Sequence, residues 1–237
     1  MPLYWVAETE VAERLSRRWA RKWMLGFSDI TSATNERTMV AGVFPLSAVG
    51  NKLPMVLATA PSNCALAVAL SSFAFDYCAR QKVGGTTLNF FIVQQLPAPP
   101  PSVFDAAAPW GDGLTLAHWI RPRLLELAYT ANDMASFASD LGDTGAPFRW
   151  DVARRAHLRA ELDACFFHLY GLDRLDTEYV LSTFPIATRK DPELSPRILA
   201  AYDALAAAAD SGESFVSPLD PPPGLGARHA GIARKPA

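Results

Sequence analysis

The stretch Cys78–Pro101, CARQKVGGTTLNFFIVQQLPAPPP, constrains this chain more than any other. It closes an apolar helical segment with Arg80, Gln81 and Lys82 and then presents Gly84 and Gly85. Glycine lacks a Cβ, so such a pair lets the chain reverse or lie close to a ligand. Leu88–Val93 is apolar at both alternations, the pattern of a strand covered on both faces. Leu96–Pro101 cannot continue a hydrogen-bonded ladder and is expected to leave as polyproline II.

Around that stretch the chain alternates helical and extended patterns. Val11, Leu15, Trp19 and Trp23 recur every four residues, so Ala7–Leu25 is expected to be a helix, with Arg14, Arg17, Arg18, Arg21 and Lys22 on a solvated face. Thr38–Phe44 and Met55–Thr59 have strand character, and the turn chemistry of Leu46–Pro54 separates them. A small antiparallel or mixed sheet follows. Ser62 can cap a helix whose apolar stripe is Leu66, Leu70, Phe73 and Tyr77.

A boundary is expected near Pro109, and helices dominate beyond it. Leu114–Leu141 is helical in pattern, with Pro122 expected to break it so that the main helix starts there. Asp151 is placed to cap a helix ending at Tyr170-Gly171, a short helix spans Thr177–Thr183, and Pro196 opens a last helix through Ala209. From Ser211 to Ala237, proline, glycine and small polar residues predict an extended or disordered tail.

The three cysteines, Cys64, Cys78 and Cys165, are dispersed and form no CxxC pair, which argues against a zinc site or disulfide framework. The N-terminus lacks a secretory signal pattern, and the apolar segment near Ala65–Tyr77 carries Ser71, Ser72 and Asp76. A cytoplasmic protein without membrane association is expected. The net charge of −2 neither announces nor excludes a nucleic-acid partner, because local patches decide.

Catalytic patterns are weak. Asp220-Pro221-Pro222-Pro223 begins like the amino-gripping segment of an amino-methylating enzyme, but a proline stands where the stacking aromatic belongs. Gly224-Leu225-Gly226 lacks a strand–turn–helix context for a cofactor. His118, His157, His168 and His229 show no metal-ligand spacing, and His157, Cys165 and His168 read as ordinary helix residues. Glu161 with Asp163, and Asp173 with Asp176, read as surface or capping groups. No catalytic, cofactor or metal residue is therefore assigned to this chain. What remains is binding: Arg80, Gln81, Lys82, Thr86, Thr87 and Asn89 surround the glycine pair with groups used on phosphates and base edges.

Three blocks, SDITSATNERTMVAGVFPLSAVGN, LSSFAFDYCARQKVGGTTLNFFIVQQLPAPPP and RRAHLRAELDACFFHLYGL with EYVLSTFPIATRKD, together resemble the C-terminal region of large adenine-specific DNA methyltransferases. These belong to restriction–modification and phage-defence systems, including type IIG-like enzymes. The resemblance implies an α/β (α+β) fold: a small mixed sheet with packed helices, like a target-recognition domain, then a helical C-terminal part and a disordered tail. It divides the chain into a partial recognition domain (1–108), a helical domain (109–210) and the tail (211–237).

On this resemblance the chain is a DNA-binding specificity module, a fragment or split subunit that is not catalytic alone. S-adenosylmethionine is implied only for a catalytic domain lying upstream, outside this chain. Double-stranded DNA is the implied partner, with a separately encoded methylase subunit as a further one. Arg80, Lys82 and Arg37 are then candidates for phosphate contacts. By residue type and loop position, Thr86, Thr87, Asn89 and Asn35 are candidates for base or sugar contacts, and Gln81, Gly84 and Gly85 are further DNA-binding candidates. The alternative is a helical scaffold that docks onto the methylase.

Overall fold

A computed structural model describes residues 5–58, 63–111 and 113–230. The fold is mixed α/β, with a small sheet against a larger body of helices. After helix α1 (Glu8–Leu15) come strands β1 (Trp23–Phe27), β2 (Ala41–Pro45) and β3 (Met55–Val56). The sheet order is β2-β1-β3 and both pairings are antiparallel, with Leu25 opposite Val43 on one side and Val56 on the other.

The expected helix over Ala7–Leu25 therefore stops at Leu15. Its second half is instead the central strand, in which every residue from Trp23 to Phe27 is buried. A four-residue spacing of tryptophans fits a helix, but the continuous run WMLGF fits a strand covered on both faces, and two-sided pairing decides it. Trp23 packs edge-on against Trp19 and Phe137, with ring centroids 5.4 and 5.0 Å away, and its indole N–H donates to Asp140 Oδ2 at 2.8 Å. The sheet is thereby tied to the helices.

Gly26 is required at the middle of this strand. A Cβ there would lie 2.9 Å from the Pro54 carbonyl oxygen and 3.1 Å from the Phe44 ring. The carbonyl belongs to backbone and cannot swing aside. Gly26→Ala is therefore expected to destabilise the fold by about 2 kcal/mol through overpacking. An unchanged urea midpoint would contradict that.

Ser62 falls outside the described residues. The expected single apolar helix is two, α2 (Asn63–Ser71) and α3 (Phe73–Lys82), because the Ser72 hydroxyl accepts the Phe75 N–H and starts a new helix. Leu88–Val93 is not a strand. The Asn89 side chain accepts the Ile92 N–H at 3.2 Å and opens a short helix, α4 (Phe90–Val93), in its place. Among the described residues, pairing in this region is an isolated antiparallel bridge, Ile30 with Thr87.

Beyond a one-turn helix, α5 (Pro101–Asp105), helix α6 runs unbroken from Leu116 to Ala128 with Pro122 inside it. Thr115 caps it by accepting the His118 N–H, so the start lies upstream of the proline. The carbonyl that loses its donor belongs to exposed His118, where water can replace it. A 3-10 turn and α7 (Ala135–Asp140) lead to α8 (Val152–Leu169), which begins at the Asp151 cap and ends before Gly171 at φ +67°. Helices α9 (Arg174–Ser182), α10 (Pro185–Lys190) and α11 (Leu194–Ser211) follow, with α11 packed along α8.

The described part of the tail is extended and strapped across the helices. Phe215 N donates to Trp110 O at 2.9 Å, Gly224 N to Glu126 Oε2 at 2.8 Å and His229 N to Pro147 O at 2.9 Å. The Asp-Pro-Pro-Pro segment is part of this strap: the Pro221 and Pro222 carbonyls accept from Arg154 at 2.7 and 3.0 Å. Buried side chains from Leu15 to Ala208 form one core that continues across Pro109.

Candidate nucleic-acid interface

The turn after α3 is organised by a carboxylate that sequence reasoning used only as evidence against a membrane span. Asp76, in the first turn of α3, has no exposed side-chain surface. Its oxygens accept the Thr38 N–H at 3.0 and 3.1 Å and the Met39 N–H at 3.2 Å, which fixes the chain entering β2. Arg37 Nε donates to Asp76 Oδ2 at 2.6 Å, and the Arg37 guanidinium lies 4.0 Å above the Phe73 ring while also donating to the Ser71 carbonyl.

Arg80 sits one helical turn on, with Nε 3.8 Å from Asp76 Oδ1. Its terminal nitrogens donate to the carbonyls of Thr183 at 3.1 Å, Asn35 at 2.6 Å and Glu36 at 2.8 Å. The guanidinium lies 3.8 Å from the Phe184 ring, and burial holds its pKa below the usual arginine range. Only 10% of the Arg80 side chain and 22% of the Arg37 side chain is exposed. Both arginines thus face inward and join the loop before β2 to α3 and to the α9–α10 junction. The sequence signal for this was available in Asp76, a charge in the apolar first half of the helix and four residues before Arg80.

The other candidates face solvent. Gln81, Lys82, Gly84, Gly85, Thr86, Thr87 and Asn89 are exposed, whereas Val83 and Leu88 are buried and pin the two ends of the turn. Between those anchors, Thr31 N donates to Thr86 O at 3.1 Å and Leu88 N to Asp29 O at 2.7 Å. Among the described residues, the side chains of Gln81, Lys82, Thr86 and Thr87 make no hydrogen bond or ion pair. Asn35 is exposed beside them, its carbonyl held by Arg80. The Asn89 carboxamide oxygen is committed to capping α4.

Gly84 and Gly85 do not use left-handed backbone, and a Cβ on either would meet nothing within 4 Å. What they contribute is bare backbone at the surface. Beyond the turn stand two aromatic rings, Phe90 and Phe91, 47% and 74% exposed; Phe90 packs edge-on against Phe27 at 5.7 Å.

Other groups weighed on sequence have structural places. Cys165 is fully buried, which pushes its thiol pKa up and keeps it protonated, and the His168 ring stacks on Tyr202 at 3.8 Å. Glu161 forms a buried ion pair with Arg123 at 2.7 Å. Gly224 and Gly226 lie against Pro122 and the Glu126–Arg154 pair, leaving those glycines no room to cradle a cofactor. Among the described residues, no group of three or more His, Cys, Asp and Glu side chains could hold a metal ion, and no helix is long and apolar enough to cross a membrane. Comparison with protein-family models, with curated proteins and with solved structures finds no match to this chain.

Proposed function

We propose that this chain is a DNA-recognition module of an adenine-N6 DNA methyltransferase or restriction–modification enzyme, acting in the cytoplasm and not catalytic alone. The observation that carries the proposal is the turn Gln81–Asn89. Its Gln81, Lys82, Thr86 and Thr87 side chains make no hydrogen bond or ion pair among the described residues, while its ends are held by buried Val83 and Leu88 and its base by the Asp76–Arg37–Arg80 network. Such pre-positioned donors and acceptors lose little freedom on meeting a duplex. The family resemblance of the Phe73–Pro101 block supports the same partner. Lys82 is the phosphate contact in this proposal, Gln81, Thr86, Thr87 and Asn35 reach bases or sugars, and Arg37 and Arg80 position the turn. Methyl transfer from S-adenosylmethionine belongs to a separate catalytic domain.

Titration of duplex DNA at two salt concentrations tests this, with binding expected to weaken as salt rises. Lys82→Ala should weaken binding across sequences and lower the salt slope by about one counterion. Thr86→Val with Thr87→Val should leave the slope unchanged and reduce discrimination between sequences. Absence of salt-sensitive binding at micromolar protein would remove the proposal.

A second reading rests on α9, where Leu175 and Tyr179, one turn apart, are 74% and 61% exposed. An apolar pair at this spacing suits a helical partner, as a scaffold docking onto a methylase subunit would require. If Leu175→Glu abolishes capture of that subunit while DNA titrations show nothing, the scaffold reading holds instead.

A further inference from the structure

Between β2, α2, α6, α8 and the α10–α11 junction lies a cleft of about 560 Å³. Met39, Val43, Val68, Leu124 and Leu162 make its walls apolar. Two opposite charges on α8 also line it. Asp163 is 7% exposed; its Oδ1 accepts the Phe73 N–H at 2.8 Å, and its second oxygen makes no hydrogen bond among the described residues. Arg159, four residues earlier, is exposed and makes no hydrogen bond or ion pair among those residues.

Opposite charges at this spacing on a helix commonly pair. Here, among the described residues, they attract at a distance without forming an ion pair, whereas other charges around the cleft are in direct contact: Arg37 with Asp76, Lys190 with Glu36 and Asp191 with Arg197. The second Asp163 oxygen is not sealed inside the protein, so a ligand in the cleft can donate to it. The cleft volume lies within the range of small-molecule sites, which combine apolar walls with a few convergent polar groups.

We infer that this cleft binds a zwitterionic α-amino-acid group carried on an apolar body, its ammonium on Asp163, its carboxylate on Arg159 and its side chain against the apolar walls. A single positive or negative ligand would leave one of the two charges unmatched. This site is separate from the exposed turn after α3 and does not depend on DNA binding.

Calorimetric titration of the full chain with L-phenylalanine and L-leucine tests the inference, with phenethylamine and 3-phenylpropionate as ligands lacking one charge each. Saturable binding of the amino acids is expected, about tenfold or more tighter than either analogue, from the loss of a charge-assisted contact. Arg159→Gln changes an exposed side chain, so folding should be retained while amino-acid affinity falls about tenfold. Asp163→Asn keeps an acceptor for Phe73 and should lose affinity similarly. No binding of either amino acid at about 10 mM overturns the inference. Unchanged affinity in Arg159→Gln, or a single-charge analogue that binds as tightly as phenylalanine, overturns it as well.

Discussion

Asp76→Ala is expected to lose about 4 kcal/mol of folding stability, the largest effect of any single substitution near the turn. The physical reason is the number of donors that one carboxylate serves. Its removal strands the Thr38 and Met39 N–H groups in the interior and leaves Arg37 and Arg80 without their anion. Buried charge without a partner costs more than the net value of the pair, because desolvation is no longer offset. Asp76→Asn retains an acceptor oxygen but no charge, and should lose about half as much. Urea unfolding of the three proteins gives the order directly. If the alanine variant unfolds within about 0.5 kcal/mol of the parent, a magnitude ordinary for surface changes, the network is not what holds this turn.

The consequence reaches the proposed DNA surface. Arg80 ties α3 to the Asn35 and Glu36 carbonyls and to Thr183, so freeing it unties three segments together. An Arg80→Ala variant that loses DNA binding would therefore report the mounting of the turn. Lys82→Ala is the cleaner probe, because exposed Lys82 has no intramolecular partner among the described residues.

Features fixed by neighbouring residues were legible in the sequence. Asp151 and Gly171 bound α8 as expected, because a side-chain cap and a left-handed terminator act within one turn of helix. Of the expected strands Thr38–Phe44 and Met55–Thr59, the structure has the shorter Ala41–Pro45 and Met55–Val56, and Thr59 lies outside the described residues. Elements decided by distant partners were not legible. Trp23–Phe27 is a strand because β2 and β3 pair with it on both sides, which no spacing within residues 7–25 encodes. Asn89 could have signalled a helix start, but an apolar run of six residues looks the same in a strand or a buried helix.

The candidate site divides along the same line. That Gln81, Lys82, Thr86 and Thr87 would be presented on a turn followed from residue type and the glycine pair. That Arg37 and Arg80 point inward depends on Asp76, which lies 39 residues from Arg37 in the chain. A basic residue beside a polar turn carries no mark of which way its side chain faces. The strap is a comparable case: Asp-Pro-Pro-Pro looks like part of a catalytic motif, yet its carbonyls serve Arg154.

Asp163 offers a second large effect, visible in the pH dependence of stability. Burial raises its carboxyl pKa from 3.8 to about 6, against the opposing influence of Arg37, the Phe73 N–H and Arg159, while Asp76 pushes the same way as burial. The folded chain therefore keeps a proton between these values that the unfolded chain has released. By linkage, stability falls as pH rises through that window, because the native state binds more protons. The contribution is complete below pH 3.8 and is lost above about pH 6. A shift of this size corresponds to about 3 kcal/mol. Asp163→Asn keeps the acceptor for Phe73 N and removes the titration. Relative to the parent, the asparagine variant should gain stability as pH rises from about 4 to 7, approaching that figure at the top of the window. Acid destabilisation from other carboxylates is common to both proteins and cancels in the difference. A difference that stays flat across this range would mean that Asp163 is not held in its neutral form by burial, and that its second oxygen has a partner in solution.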